Sequence, residues 1–369
     1  MIRLEHITKL YNSVVAVNDF SLDVEKGEVC VLIGPSGCGK TTTLRLINRL
    51  VEPSSGKIIV NNLDVSRTKA ELLRRSIGYA IQSVGLFPHM TVGDNIAVVP
   101  ELLGWEKARI GERVKELLEL VGLDPLKYAR KYVHQLSGGE AQRIGVARAL
   151  AADPPILLMD EPFGAVDPLT RERLQSQFLQ IQSKLKKTVI LVTHDLDEAI
   201  RLADKIAVMQ AGKLVQYDAP ETILSRPANK FVHDFVGVDR ALKRLSRIVV
   251  GAFIRPAASV TLAASREEAL AAIDGRRSAW VLDETGRPIG WIDRASLSEP
   301  GSLKDIAVAA DPAEMSVTAA DTLHGALSRM LGLGFKSLPA VDDTGRLIGE
   351  ITLTDIEAAT AQMESTNHV

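Results

Sequence analysis

Two hydrophobic periodicities alternate along residues 1–236. Short unbroken apolar runs, EVCVLI (28–33), PILLMD (155–160) and TVILVTH (188–194), read as strands buried on both faces. Between them, apolar residues recur at helical spacing over 41–50, 111–121, 139–152, 168–186 and 196–203. Buried strands alternating with helices predict a parallel sheet covered by helices. The opening segments IRLEHITKLY and AVNDFSLDVEKGE alternate apolar and polar positions instead, as antiparallel strands with one wet face do. IAVMQAGKLVQYD (206–218) reads as a hairpin with Gly212 in its turn.

The pattern changes near residue 237. DRALKRLSRIV is a short basic amphipathic stretch that reads as a solvated helix face. Beyond it the chain repeats itself: VLDETGRPIGWIDRAS (281–296) aligns with AVDDTGRLIGEITLTD (340–355). Each copy has a strand, an Asp-x-Thr-Gly-Arg turn and a second strand, preceded by a helical pattern, SREEALAAID or DTLHGALSRML. Two such halves predict one pseudosymmetric domain in which each half covers the other's apolar face. The expected division is 1–236, a linker at 237–250, and 251–365 with repeats at about 251–300 and 305–362.

Composition narrows the classes. The chain has 369 residues, 46% hydrophobic and 24% charged, which suits a soluble protein of two or three domains. A net charge of -2 gives no basic field for nucleic acid. No uncharged apolar run approaches the ~18–20 residues that cross a bilayer. The start, MIRLEHITKLY, is charged early and does not read as a signal peptide. Cys30 and Cys38, the only cysteines, fall in or beside one glycine-rich loop, so no disulfide framework is expected and a reducing compartment fits.

That loop, GPSGCGKTT (34–42), lies between a buried strand and a helix and matches the phosphate-binding pattern G-x-x-x-x-G-K-[ST]. Gly34, Pro35, Ser36, Gly37, Cys38 and Gly39 form the expected cradle. Its three glycines allow backbone N–H groups to approach phosphates. Lys40 should reach the β- and γ-phosphates, with Thr41 on Mg²⁺ and Thr42 beside it. PPILLMDEP places Asp160 at a strand end, where an acid orients Mg²⁺. Glu161 follows, placed to polarise a water. His194, ending another strand, gains a role only beside these residues, since a lone strand-end His is more often structural. Gln82 in IGYAIQSVGLFPHM could reach metal and water, and Tyr11 could stack on adenine.

A second glycine motif, LSGGE, opens the helix GEAQRIGVARALAAD. Ser137 reads first as an N-cap. Ser137, Gly138 and Gly139 also offer N–H groups and a hydroxyl to an anion. Since the primary loop already holds its own nucleotide, the economical reading is that this grip completes the site of a second copy, in an isologous dimer.

Taken together, Tyr11, GPSGCGKT, Gln82, LSGGE, ILLMDE, FGAVD and His194 resemble the ATP-binding subunit of ABC transporters over residues 1 to about 236. The resemblance implies a P-loop NTPase (ABC ATPase) α/β domain with an antiparallel β subdomain and a helical subdomain. It implies ATP and Mg²⁺ as cofactors. By position, it implies that Tyr11 stacks on adenine, and that Lys40, Thr41 and Asp160 hold phosphate and metal. Glu161 would be the catalytic base and His194 would hold the γ-phosphate. Gln82 would link site to permease, Ser137 to Gly139 would complete the partner's site, and Asp167 would bridge the dimer. Glu140 stands where family members most often carry Gln, and is expected to face away from the phosphate and favour the helix dipole.

LRLINRLVEPSSGKI and IGYAIQSVGLFPHMTV, followed by the paired repeat, resemble the ATPases of osmoprotectant importers, which take up glycine betaine, carnitine, choline or related quaternary amines. The repeat resembles a paired CBS domain, a small α+β regulatory module. Its Thr-x-x-Asp step, Thr352 and Asp355 in the second half, implies one possible nucleotide site; the first half has Asp293 and Ser296 there instead. A spacer or dimerising module without ligand is the alternative. The implied partners are a second copy, membrane permease subunits and, indirectly, a solute-binding protein, with the chain peripheral on the cytoplasmic face of the inner membrane. An importer of another small solute, a non-transport ABC ATPase and a ligand sensor with an idle ATPase are the competing readings. The short interval between Gln82 and LSGGE, without heptads, disfavours the second. Glu161 and His194 together disfavour the third.

Overall fold

A computed structural model of the chain describes residues 1–81, 85–164, 166–237, 240–309 and 311–365. The chain divides into two compact units, Met1–Gly237 and Val238–Val369. In the first, the strands are β1 (Ile2–Tyr11), β2 (Val14–Val24), β3 (Val29–Ile33), β4 (Ser55–Val60), β5 (Leu63–Asp64), β6 (Ile77–Ala80), β7 (Ile156–Asp160), β8 (Thr188–Val192), β9 (Lys205–Gln210) and β10 (Lys213–Asp218). The helices that position the site are α1 (Lys40–Ile47), α2 (Ala70–Arg75), α3 (Val92–Leu102), α4 (Lys107–Leu120), α5 (Pro125–Tyr128), α6 (Gly138–Leu150), α7 (Pro168–Leu185) and α8 (Leu196–Leu202).

One sheet has the order β10-β9-β3-β8-β7-β6, parallel from β9 to β6. Its middle strands are continuous apolar runs because each face feeds a different core. Val29, Val31 and Ile33 of β3, Leu157 and Met159 of β7, and Val189 and Leu191 of β8 join a core shared with the helices. Cys30, Leu32, Ile156, Leu158, Ile190 and Val192 point the other way, into a core shared with α1 and the second sheet. Each such aliphatic burial contributes about 1.5–3 kcal/mol, enough to hold the strands in register. The second sheet, β2-β1-β4-β5, is antiparallel. The β9–β10 hairpin turns at Ala211 and Gly212, both at positive φ, as a type I′ turn requires. Tyr11 is the last residue of β1, paired with Val14 at a hairpin tip.

In the second unit, β11 (Ser259–Thr261), β12 (Ser278–Leu282), β13 (Pro288–Asp293) and β14 (Val308–Ala309) form one sheet. β15 (Val317–Thr318), β16 (Ser337–Val341) and β17 (Leu347–Thr352) form another. The repeated turns are built alike. Asp283 accepts from the N–H and hydroxyl of Thr285 and from Arg287 N–H. Asp342 does the same with Thr344 and Arg346. Gly286 and Gly345 supply the positive φ at equivalent places.

Two expectations change here. Among the described residues the halves do not share one core; each packs its own, with its own helix, Arg266–Ala272 or Leu323–Leu333, on its sheet. They are joined by polar and aromatic contacts: Trp280 Nε1 donates to Glu350 (3.1 Å), Arg276 pairs with Glu350 (3.3 Å), and the rings of Trp291 and Phe335 meet edge to face. The segment expected as linker is also partly structural. Arg240–Leu245 is helical, and Leu245 and Val250 are buried in the second half's core, so its apolar residues anchor it.

Glu350 is therefore the main tie between the halves. Glu350→Ala leaves the buried Trp280 indole N–H without its acceptor, a cost of about 1–3 kcal/mol. Urea denaturation followed by tryptophan fluorescence should show a lower midpoint for Glu350→Ala and a smaller fall for Glu350→Gln, which keeps a carbonyl acceptor. Unchanged midpoints in both would contradict this joint.

Candidate functional site

The glycine loop leaves β3 and enters α1 by a route open only to glycine. Gly34 and Gly39 have φ of 153° and 106°. A Cβ on Gly34 would lie 2.2 Å from Met209 O, and one on Gly39 would lie 2.4 Å from Ala16 O. Gly37, with φ of 79°, faces open space. The backbone therefore curls tightly between β9 and β2. Lys40 reaches back into this curl: its ammonium donates to Gly34 O (2.7 Å) and Pro35 O (3.1 Å), and the residue is buried. Cys38 packs beneath it, and burial pushes its thiol up despite Lys40. The first turn of α1 carries no acidic residue, so its positive end is uncompensated.

The strand ends deliver the acids. Thr41 donates to Asp160 at the end of β7 (3.0 Å). Burial raises the Asp160 carboxyl above its ordinary value, and the Thr41 hydroxyl pulls it back. Glu161 has left-handed backbone, φ 45°, unusual for a residue with a side chain. Its N–H donates to Val192 O (2.9 Å), which fixes the turn and brings its carboxylate 3.3 Å from His194 Nδ1. His194 follows β8 and is mostly exposed, whereas Glu161 is largely covered. Lys40, Thr41, Asp160, Glu161 and His194, from three segments far apart in sequence, thus lie along the carboxyl edge of one sheet. Gln82 lies outside the described residues. Tyr11 is half-exposed with the Lys9 ammonium 4.8 Å from its ring centroid.

The residues fit a nucleotide with a hard cation. The loop's curl would not form with a Cβ at Gly34 or Gly39, which would strike the backbone of β9 or β2. No group of three or more His, Cys, Asp or Glu side chains placed to hold a metal ion by themselves exists among the described residues. One carboxylate and one hydroxyl, Asp160 and Thr41, suit Mg²⁺, which keeps several waters and substrate phosphates rather than a protein cage.

The second grip is more constrained than its sequence suggests. Ser137 caps α6, its hydroxyl oxygen accepting from Glu140 N–H (3.3 Å). Glu140 does not merely face away. It folds back to accept the Ser137 N–H (2.7 Å), and its other oxygen accepts from Tyr128 OH. That N–H, expected for an anion, is therefore taken. The Ser137 hydroxyl proton and the N–H groups of Gly138 and Gly139, which have no helical acceptor, are what this end can still offer. Asp167 caps α7 by accepting from Thr170 N–H (3.0 Å).

In the second unit, Thr352 and Asp355 do come together: Asp355 accepts from the Thr352 N–H and hydroxyl (2.8 and 2.6 Å). The other Asp355 oxygen is bound by Arg255, so the carboxylate implied for a ribose is already engaged. Asp293 and Ser296 build the mirror arrangement, Asp293 accepting from the Ser296 N–H and hydroxyl.

Sequence reasoning missed Tyr128, Arg255 and a buried group behind His194. The last had a visible signal, the acid-rich helix start HDLDEA. It also missed a cleft of about 320 Å³ beside residues 85–87, lined by Arg74, Arg75, Tyr79, Phe87 and Arg148. Arg148 donates to Gly85 O (2.7 Å) and lies over the Phe87 ring. Asn95, fully buried, accepts from Phe87 N–H (2.8 Å) and donates to Thr91 O, tying this segment to α3.

Comparisons with known proteins show the family. The ABC transporter family matches residues 17–164, and the CBS domain family matches residues 303–361. The osmoprotectant import ATP-binding protein OsmV of Salmonella typhimurium is 48% identical, over 95% of this chain and 94% of its own length. The glycine betaine/carnitine/choline transport ATP-binding protein OpuCA of Bacillus subtilis is 42% identical, over 95% and 94%. A solved dimeric ATP-binding cassette in a post-hydrolysis state, bound to ADP and Pi, is 30% identical with a TM-score of 0.55, covering 60% of this chain and 99% of that one.

The Tyr128 hydroxyl and the Ser137 N–H hold the Glu140 carboxyl below its ordinary value. A lowered folded value means that its contribution to stability is present above the unfolded value and lost as pH falls through the folded one. The melting temperature of the wild type should therefore fall more steeply than that of Glu140→Gln between about pH 5 and pH 3. Parallel melting curves over that range would show that Glu140 carries no charge-dependent bond.

Proposed function

The chain belongs to the ATP-binding subunits of ABC transporters, within the osmoprotectant-import group, and from that premise we propose how its residues energise uptake through a membrane permease. The solute class is a quaternary amine such as glycine betaine, carnitine or choline. The observation that carries the catalytic reading is the convergence of the glycine loop, Asp160, Glu161 and His194 on one sheet edge, with Glu161 and His194 3.3 Å apart.

In this reading Tyr11 stacks on adenine. Gly34 to Gly39 give N–H groups to the phosphates, Lys40 exchanges its carbonyl partners for phosphate oxygens, and Thr42 lies beside them. Mg²⁺, held by Thr41 and Asp160 with Gln82 near it, would neutralise charge on the phosphates. Glu161 polarises the attacking water and His194 holds the γ-phosphate end of the site. The Glu161 backbone is fixed by its N–H bond to Val192 O, which sets the direction of the carboxylate. Catalysis is then positioning plus charge stabilisation.

The helix start at Ser137, Gly138 and Gly139 completes the site of a second copy in a homodimer, with Asp167 bridging the two. The cleft beside Phe87 suits a permease segment. Arg74, Arg75 and Arg148 give it a basic lining, and Asn95 couples it through α3 to α6, which shares its core. ATP-driven closure of the dimer would thereby move the permease. No helix among the described residues is long and apolar enough to cross a membrane. Attachment in this reading runs through such partners, on the cytoplasmic face. A solute-binding protein would deliver the solute. The second unit would regulate, with a nucleotide reaching Asp355 only by displacing Arg255.

Glu161→Gln should lower kcat for ATP by about 10²–10⁴-fold and accumulate an ATP-bound dimer. Light scattering that finds only monomer with Mg-ATP would sink the shared-site reading. Lys40→Ala should abolish both hydrolysis and the uptake of labelled glycine betaine by cells under osmotic stress. Equal uptake with Lys40→Ala and wild type would discard the osmoprotectant assignment, and retained hydrolysis would discard the phosphate role.

A further inference from the structure

Behind His194 lies a buried acid that the arrangement above does not use. Glu198 is in the first turn of α8 and only 5% exposed. An acid at a helix start gains by facing water near the positive end of the dipole, as exposed Asp197 does. Glu198 turns inward instead. One oxygen accepts from the hydroxyl of Thr193, itself buried, and the other has no hydrogen-bond partner among the described residues. Leaving a carboxyl oxygen in that state is costly, and a structural acid would be replaced without loss by an apolar residue.

The bond to Thr193 shows what the burial maintains. Thr193 and Asp195 flank His194. The Thr193 N–H donates to Leu32 O (3.2 Å), on the strand that leads into the glycine loop. Its hydroxyl oxygen accepts from Asp195 N–H (3.0 Å) while its proton goes to Glu198. Asp195 in turn accepts from the N–H groups of Asp197 and Glu198 (2.9 and 3.1 Å) and pairs with Arg171 of α7 (3.4 Å). Arg171 also donates to Val166 O (3.2 Å), next to Asp167. The turn carrying His194 is thus held from below by one carboxyl and from the side by the segment before α7.

We infer that Glu198 is a positioning residue for ATP hydrolysis: its buried carboxyl, bonded to the Thr193 hydroxyl, sets the turn that holds His194 against Glu161. This rests on the reading of Glu161 and His194 as the hydrolytic pair. The groups facing Glu198 are Asp195 on its own segment, His194, and Arg171 from α7. Burial and then Asp195 push its carboxyl up, to about 7, while Thr193, Arg171 and His194 pull it down. Removing the carboxyl would let the turn relax and misplace the His194 ring, and a displacement of about 1 Å costs up to about 10²-fold in rate.

The test is steady-state hydrolysis by the full chain, with kcat and KM for Mg-ATP measured separately. Glu198→Ala and Thr193→Val are expected to lower kcat by about tenfold, with KM changed less than about twofold. Glu198→Gln, which keeps a carbonyl acceptor for Thr193, is expected to recover most of the loss. Wild-type kcat in Glu198→Ala, or a Glu198→Gln as impaired as Glu198→Ala, overturns the inference. If Glu198→Ala does not fold, Thr193→Val decides alone, and wild-type kcat in it overturns the inference. His194→Ala separates the two levels. Impaired His194→Ala beside unimpaired Glu198→Ala rejects the positioning role only, whereas wild-type turnover in His194→Ala rejects the hydrolytic pair beneath it.

Discussion

Leu32, Val192 and Asp160 stand in one row across three neighbouring parallel strands, Leu32 opposite Val192 and Val192 opposite Asp160. Everything at the site hangs from that register. One residue beyond the row are Ile33, then the glycine loop; Thr193, then His194; and Glu161. Backbone bonds extend the row past the strand ends, Glu161 N–H to Val192 O and Thr193 N–H to Leu32 O. A slip of one residue in any of the three strands would exchange its two faces between the two cores and carry the site residue that follows it out of reach. The apolar runs that make these strands are therefore also what aligns the acids, the histidine and the phosphate cradle. In a parallel sheet open at its carboxyl edge, that is where a ligand binds.

This explains which parts were legible in the sequence. EVCVLI, PILLMD and TVILVTH announce strands buried on both faces, and the glycine loop and Asp160–Glu161 follow two of them directly, so their convergence needs only the strands to be neighbours. The repeat in the second unit was legible because its turn chemistry is local: one Asp, one Thr and one Gly within five residues. Groups supplied from a distance were not legible. Tyr128 meets Glu140 across twelve residues, Arg255 meets Asp355 across a hundred, and Trp280 meets Glu350 across seventy. Nor could periodicity show that each repeat closes its own core, since that depends on how far each helix covers its sheet.

The start of α6 shows a conflict between local stability and function. A capping box satisfies two backbone donors reciprocally, which favours Glu at the third helical position. At Glu140 it consumes the Ser137 N–H, one of few donors this helix end has for an anion. The conflict is eased because Ser137 uses its oxygen lone pair for the cap and retains its proton. Tyr128 also draws the second Glu140 oxygen back toward α5, away from the exposed end of the helix. Each Glu140 oxygen thus already has a donor within the chain, which fits the proposal that this helix end meets a phosphate.

The same accounting separates the two units. Asp160, buried at the end of β7, meets one neutral hydroxyl and is held in no ion pair among the described residues. Such a carboxylate is held at a desolvation cost with spare acceptor capacity, and a cation recovers that cost. Asp355 is as deeply buried, yet it accepts from Thr352 twice and is paired with Arg255. A neutral ribose hydroxyl offered to it must replace a charge-assisted bond worth about 1.5–3 kcal/mol. Asp160 is therefore left with acceptor capacity that the fold does not use, whereas the Asp355 carboxylate serves the fold through both of its oxygens.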